Sequence, residues 1–364
     1  MRASQDFSVA QWAVVPGADE RNESALTGFP ERIGINPEFF KRLDAKLQIL
    51  SSAGILSAIA PLLELGSATN ATALPTDQAI LLARYVVARW GADPVAWLVV
   101  VDGDEKQAER WKRIGNQVFA ATDHAPVVLS AATDALDKFR DQAWVDVVSF
   151  PSGIVNDQEG MKQAFAGPST NRWSNPPRPI LHSTPYENAL IGKSHKRVSS
   201  DDVRRAAYSS GLSAPIAGLT YGGQGVLDWD ATTGPKADLS LGASLPLWHK
   251  ALFMPAAKQL GMLARLMQSI SFWQLRPDPQ ADVDESRTHF LAATNPQKSL
   301  ALVYVPRDRT VSISVDSLPA PPTVMWFNPR NGESSPAVAV LSGHICQFPT
   351  PGPGDWLLFA RKGR

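Results

Sequence analysis

The stretch Val95-Ala96-Trp97-Leu98-Val99-Val100-Val101-Asp102-Gly103-Asp104-Glu105 constrains the fold of this chain most. From Val95 to Val101 the residues are apolar, mostly β-branched, and without polar alternation. A strand of that kind needs cover on both faces, as in a parallel sheet between helix layers. Gly91 and Pro94 punctuate its start and Gly103 its end. Trp111, Ile114, Val118 and Phe119 then recur at helical spacing. Strand, acidic loop and helix make a βα unit, and α/β folds carry their chemistry at the carboxyl ends of such strands. Asp102, flush with the strand end, is the first catalytic candidate. Asp104 and Glu105 also have a simpler use, since carboxylates favour the start of a helix.

The same alternation extends in both directions. Phe7–Val15 predicts a strand closed by Pro16-Gly17. Asn36 followed by Pro37 predicts a helix start, with Phe39, Phe40, Leu43, Leu47 and Leu50 on one face and Gly54 as its stop. Ile55–Leu65 predicts a strand carrying Glu64, and Thr76 or Asp77 opens a helix that ends near Gly91. Further strands are expected at Pro126–Ser130, Trp144–Phe150, Pro179–Ser183 and Ala214–Thr220. Helices are expected near Asp134–Arg140, from Asp157, over Asp201–Ser210 and over Ala251–Ile270. Parallel βα units follow from this order, numbering one strand fewer than the eight of a (β/α)8 barrel. A doubly wound sheet would carry a glycine-rich phosphate loop after its first strand, and this chain has none. The expected fold is therefore a TIM-type barrel over residues 1–275 that lacks its first βα unit. Its first strand, Phe7–Val15, is expected to form an exposed or abnormally covered edge.

Beyond Asp284 the pattern changes to short strands separated by turns such as Asn328–Gly332 and Pro351–Gly354. Expected strands are Phe290–Thr294, Ser299–Pro306, Thr310–Val315, Val324–Asn328, His344–Phe348 and Trp356–Ala360. These predict an antiparallel β-sandwich over residues 284–364, with Arg276-Pro277-Asp278-Pro279 as linker. Packing of the sandwich on the last barrel helix is expected to bury Phe272 and Trp273.

Charge excludes some classes of partner. Lys+Arg and Asp+Glu each total 35, so no net field draws nucleic acid or an anionic membrane. No stretch approaches the roughly 20 apolar residues of a membrane span. Cys346 stands alone, and no pair of His and acidic residues has metal-ligand spacing, so neither disulfide, metal nor cofactor is expected. Gly222, Gly223 and Gly225 suggest a phosphate cradle, but no Lys-Ser/Thr follows them. Met1–Asp6 lacks the apolar region of a signal peptide. Eleven Trp residues offer indole faces on which sugar rings stack, Trp229 and Trp248 among them, although core packing accounts for most.

With the first strand taken as absent, the acidic stretch ends strand four, and Leu181-His182-Ser183-Thr184-Pro185-Tyr186-Glu187-Asn188 follows strand seven. Carboxylates after those two strands face each other across a barrel mouth, the paired arrangement that glycoside hydrolysis needs. His182 ends a strand and has either a sugar hydroxyl or a structural partner in reach. Tyr221 and Gln224 follow strand eight.

Several stretches, taken in order, resemble the apiosidase-like glycoside hydrolases. They are Asn36-Pro-Glu-Phe-Phe, Trp97-Leu…Asp102-Gly-Asp, Pro185-Tyr-Glu-Asn, Asp202-Val-Arg-Arg-Ala-Ala-Tyr and Gly218-Leu-Thr-Tyr-Gly-Gly-Gln-Gly-Val. Trp326-Phe-Asn-Pro-Arg-Asn-Gly and Gly354-Asp-Trp resemble the collagen-binding-type β-sandwich that follows the barrel in that family. The resemblance implies a glycosidase with carbohydrate as partner and no cofactor. It also implies that a first βα unit, with any signal peptide, precedes Met1, which leaves the compartment open. By position Asp102 matches the family's acid/base aspartate, with Val100 and Val101 where the family has glycines. The family's Gln-Ser-Gly-His stretch is Phe150-Pro-Ser-Gly-Ile154 here. The second carboxylate belongs to a Glu-Pro-x-Tyr-Glu pattern that reads Ser183-Thr184-Pro185-Tyr186-Glu187 here, one residue shorter. The first glutamate is therefore replaced by Thr184 or deleted, and Glu187 matches the second, a supporting residue in the family pattern.

Two functions follow. One is a glycoside hydrolase acting on plant or microbial polysaccharide side chains. Its catalytic residues are Asp102 and Glu187, with His182, Tyr186, Tyr221, Gln224, Trp229 and Asp104 binding substrate. The other is a degenerate member that binds carbohydrate or a protein partner without turnover, because threonine supplies no carboxylate to either hydrolytic mechanism.

Overall fold

A computed structural model describes residues 1–14, 21–28, 32–63, 74–101, 105–120, 123–131, 133–150, 176–191, 196–213, 216–226, 246–278 and 292–363. By contacts the chain divides into two compact units, 1–151 with 171–179, and 152–170 with 180–364.

The first unit holds parallel strands β1 (Val9–Ala13), β2 (Leu56–Ala60), β3 (Val95–Val101), β4 (Val127–Ala131) and β5 (Val147–Phe150), paired in that order. Helices α1 (Pro37–Ser52), α2 (Thr76–Trp90), α3 (Glu105–Val118) and α4 (Thr133–Asp137) connect them. In α1 the Asn36 side chain accepts from the amides of Glu38 and Phe39, and Pro37 fills the first position. Such a cap is worth about 1 kcal/mol. Gly54, at φ +72°, lies just past the last turn and takes the left-handed conformation that closes many helices. β3 is buried at every residue but the half-buried Val100, as its unbroken apolar run requires. Trp144, expected in a strand, sits just before β5 instead. Its ring is buried against α3 at Gly115, where a Cβ would collide with the indole. Among the described residues β1 pairs only with β2, and Val9 is 46% exposed, so the predicted exposed edge is present.

The second unit begins with parallel strands β6 (Ile180–Ser183) and β7 (Gly218–Thr220), separated by helix α5 (Ser200–Ser213). Among the described residues, seven parallel strands in chain order make an open, incomplete barrel of TIM type, consistent with the lack of one βα unit. The helix expected over Ala251–Ile270 is two helices, α6 (Trp248–Ala251) and α7 (Pro255–Ser269). Pro255 is the reason: it has no N–H to give and is favoured at a first helical position. α4 ends at Asp137, short of the expected Arg140. The helix expected from Asp157 lies outside the described residues, as does Glu64.

The antiparallel strands form a sandwich. β8 (Arg276–Pro277), β9 (Ala292–Thr294), β10 (Leu300–Val305), β12 (Pro322–Phe327), β13 (Ser334–Pro336) and β16 (Trp356–Lys362) make one sheet, in the order β8-β9-β10-β16-β12-β13. The second sheet orders β11 (Thr310–Ser314), β15 (Ile345–Pro349) and β14 (Val340–Ser342) as β11-β15-β14. Two corrections follow. Arg276–Pro277, expected as linker, pairs with β9, and the short strands β13 and β14 were not legible as strands. β10 is buried along its whole length. Its Ala301, Val303 and Val305 enter the sandwich core with Val311, Ile313 and Phe348. Its Leu300, Leu302 and Tyr304 pack with Val203, Tyr208 and Leu260 of α5 and α7. Phe272 joins that second cluster, but Trp273, expected to be buried beside it, is 60% exposed.

Candidate active site

The loops that leave β6 and β7 stay side by side after the strands end. Ser183 is opposite Thr220 in the register, and the Thr220 hydroxyl donates to Ser183 Oγ at 2.9 Å. The next residue, Thr184, is fully buried. Its amide and its hydroxyl both donate to the Thr220 carbonyl, at 3.1 and 2.9 Å. Farther out, the Glu187 amide donates to the Gly222 carbonyl and the Gln224 amide donates to the Glu187 carbonyl, each at 2.9 Å. That parallel bridge brings Tyr186, Glu187, Tyr221 and Gln224 into one loop cluster. The glycines make the approach possible. A Cβ on Gly222 would collide with the Tyr186 ring, and Gly225 adopts φ +100° against the Pro246 carbonyl. Their use here is close packing.

Glu187 is 4% exposed, and its carboxylate is fully engaged by the protein. The Tyr221 hydroxyl donates to Oε2 at 2.7 Å, and the Ala256 amide donates to both oxygens at 3.2 and 3.3 Å. Ala256 is the second residue of α7, so the carboxylate sits on the positive end of a helix. Pro255, by breaking the expected long helix, creates the free amide that Glu187 binds. The site therefore includes two residues that sequence reasoning missed, and Met254-Pro255 within an apolar run was their signal.

His182 lies on the helix-facing side of β6. It is 2% exposed, with Nδ1 2.7 Å from Ser210 Oγ on α5. Burial pushes the imidazole down to about 4, so it is neutral at physiological pH. Tyr186 is half-buried and packs on the cluster that joins α5, α7 and β10. Asp102, Asp104 and Trp229 lie outside the described residues. Among the described residues no group of three His, Cys, Asp or Glu side chains is placed to hold a metal ion, and no helix is long and apolar enough to cross a membrane.

Comparison with known proteins bears on the family and the fold. Residues 1–274 match the model of the apiosidase-like catalytic domain. Residues 277–360 match the model described as "Putative collagen-binding domain of a collagenase". A solved glycoside hydrolase superposes with TM-score 0.82 at 16% identity, covering 100% of this chain and 87% of the other. A glycoside hydrolase family 5 from Bacteroides vulgatus ATCC 8482 gives TM-score 0.82 at 18% identity, over 99% and 83% of the two chains. A debranching enzyme from Nostoc punctiforme gives TM-score 0.55 at 13% identity, over 97% and 86%. A search of curated proteins produced no match. At these identities the structures speak for the fold alone, a TIM-type barrel followed by antiparallel sheets. The match over residues 1–274 is the finer result, and by it the chain belongs to the apiosidase-like family.

Proposed function

We propose that this chain is a glycoside hydrolase that cleaves glycosidic bonds in side chains of plant or microbial polysaccharides. One observation carries the reading. At the carboxyl ends of β6 and β7, where barrel enzymes hold their chemistry, Glu187 is fixed as a carboxylate by the Tyr221 hydroxyl and the start of α7. A group so held suits the ionised role of a glycosidase pair, as nucleophile or base, and Asp102 takes the complementary role of proton donor. Tyr186, Tyr221, Gln224, Trp229 and Asp104 line the sugar site in this reading. His182 supports its wall from the helix side.

A second reading has its own support. Thr184, near the place where the family has its first glutamate, spends its hydroxyl on the Thr220 carbonyl, and Glu187 is almost wholly buried. In that case the chain binds carbohydrate without hydrolysing it. Turnover of aryl glycosides and pectic oligosaccharides separates the two. The hydrolase reading expects activity in the wild type and a loss of at least about 10²-fold in Asp102→Asn and in Glu187→Gln, the usual contribution of proton transfer alone. Wild-type turnover in Glu187→Gln removes Glu187 from the mechanism. Calorimetric sugar binding without any wild-type turnover decides for the second reading.

A further inference from the structure

Three of the stretches that carry the family resemblance play no part in the site described above. They are Asp202-Val-Arg-Arg-Ala-Ala-Tyr, Trp326-Phe-Asn-Pro-Arg-Asn-Gly and Gly354-Asp-Trp. The structure brings them together at one buried joint. Arg204 on α5 is 3% exposed and Asp355, just before β16, is 1% exposed. Arg204 Nε and Nη2 donate to Asp355 Oδ2 and Oδ1, each at 2.9 Å, a two-pronged pair. The remaining Arg204 donor, Nη1, reaches Gln259 Oε1 on α7 at 2.7 Å, and Nη2 also meets Asp201 Oδ1 at 2.5 Å. The Tyr304 hydroxyl on β10 donates to Asp355 Oδ2 at 2.9 Å, and its ring stacks on Tyr208 of α5 with centroids 4.6 Å apart. Arg330 closes the joint from the turn after β12. Its Nη1 donates to the Pro353 carbonyl at 2.6 Å and its guanidinium lies 5.1 Å from the Trp356 ring centre. Gly354, at φ +94°, leaves room for that guanidinium, which a Cβ would strike.

Two properties of the joint bear on how the chain folds. Arg204 and Asp355 are both buried, and the other charges in reach, Asp201 for Arg204 and Arg330 at 4.0 Å for Asp355, lie on more exposed side chains. Removing one member therefore leaves the other buried with poorer compensation, which is destabilising. In addition, β10 has no face free of packing, since its alternate residues enter the sandwich core and the α5–α7 cluster. Contacts accordingly place residues 180–364 in one compact unit although family models divide them near residue 275.

We propose that the sandwich and the α5–α7 layer are one cooperative folding unit locked by the Arg204–Asp355 pair. The C-terminal module is a fixed buttress of the loops around Glu187 rather than a detachable ligand-binding domain. The path is short: Gln259, held by Arg204, lies one turn along α7 from Ala256, whose amide holds Glu187. This inference does not depend on turnover, so it survives if the chain only binds sugar.

Native-state hydrogen exchange of the full chain over a denaturant series tests it. Amides of α5, α7, β10 and β16 should exchange through one shared opening with the same denaturant dependence. Asp355→Asn and Arg204→Met should each lower protection in all four elements together, by roughly 10²- to 10³-fold, the usual effect of breaking a buried pair. The double variant should lose less than the product of the two. Tyr304→Phe, which keeps both charges and removes one hydrogen bond, should lower all four by about tenfold, and it decides the matter if the charge variants do not fold. Separate openings for helices and sandwich in the wild type would overturn the proposal. So would Asp355→Asn or Tyr304→Phe lowering α5 and α7 while β10 and β16 keep wild-type protection.

Discussion

Glu187→Gln keeps the size of the side chain and removes its charge, so its effect on stability can be worked from the contacts. Among the carboxylate's donors are the Tyr221 hydroxyl at 2.7 Å and the Ala256 amide at 3.2 and 3.3 Å. Glutamine keeps one acceptor oxygen, so one donor loses its partner or must share. A hydrogen bond to a charged group contributes about 1.5–3 kcal/mol against about 1 for a neutral one. Charge at a helix start adds about 0.3–1 kcal/mol, and up to about 2 where partly buried. The Tyr221 hydroxyl can turn to accept from the new amide, which recovers part of the loss. The net is a destabilisation of about 2–3 kcal/mol, or roughly 5–10 °C in a unit of this size. Scanning calorimetry of Glu187→Gln, Tyr221→Phe and the double variant measures it. Because the two side chains share a bond, the double variant should lose less than the sum. A Glu187→Gln midpoint within about 1 °C of wild type would refute the helix-cap account, given the hydrogen-bond values above. Additive losses would show that Tyr221 and Glu187 do not act as a pair.

Three further outcomes are expected. Gly115→Ala should destabilise by about 1–2 kcal/mol: alanine gains up to about 1 kcal/mol of helix propensity, but overpacking costs about 1–3, and the Trp144 ring in the way is 1% exposed and bounded by Phe119 and Phe139; an unchanged urea midpoint refutes this. His182, lowered by burial from 6.5 to about 4, is neutral in the fold while the unfolded chain takes up a proton. Its contribution is therefore complete above pH 6.5 and disappears as pH falls from 6.5 to about 4; His182→Gln should flatten urea stability across that window, and an unflattened profile counts against it. Tyr208→Phe should be neutral or stabilising, because the buried hydroxyl has no hydrogen-bond partner among the described residues; a clear loss in thermal midpoint counts against that.

The elements read correctly from sequence are those whose cause is local. Asn36-Pro37 caps and starts α1 within four residues, and the unbroken apolar run of β3 states its own burial. Ala251–Ile270 misled because Leu260, Leu263 and Leu266 continue one apolar stripe, and a stripe reports a face rather than a break. Pro255 reports the break. Phe272 and Trp273 show a different limit. They are neighbours in a short 3-10 turn entered through Ser271 at φ +54°, and neighbours in such a turn point apart, so one packs and the other is exposed. β13 and β14 consist largely of exposed or half-buried residues without apolar alternation, and there was no pattern to read.

At the candidate site, sequence position told which residues follow the strands but not what holds them. Strand parity explains His182: Ile180 and His182 share the buried face of β6, while Leu181 and Ser183 share the half-buried one. A histidine in phase with an isoleucine faces the helix layer, and there Ser210 meets it. Ser183, on the opposite face, is the side chain of β6 placed alongside Thr220 and the loop that leads to Tyr221. Glu187 needed information that parity does not contain, because its partner Ala256 lies 69 residues away. What connects them is a proline. Pro255 forces α7 to begin where Glu187 lies, the buried Ala256 amide at the start of that helix has no intrahelical acceptor, and among Ser183–Glu187 only Glu187 carries a carboxylate. Glu187 is therefore held here for a reason that applies with or without catalysis. Thr184 has no such requirement placed on it, and its hydroxyl satisfies the Thr220 carbonyl instead.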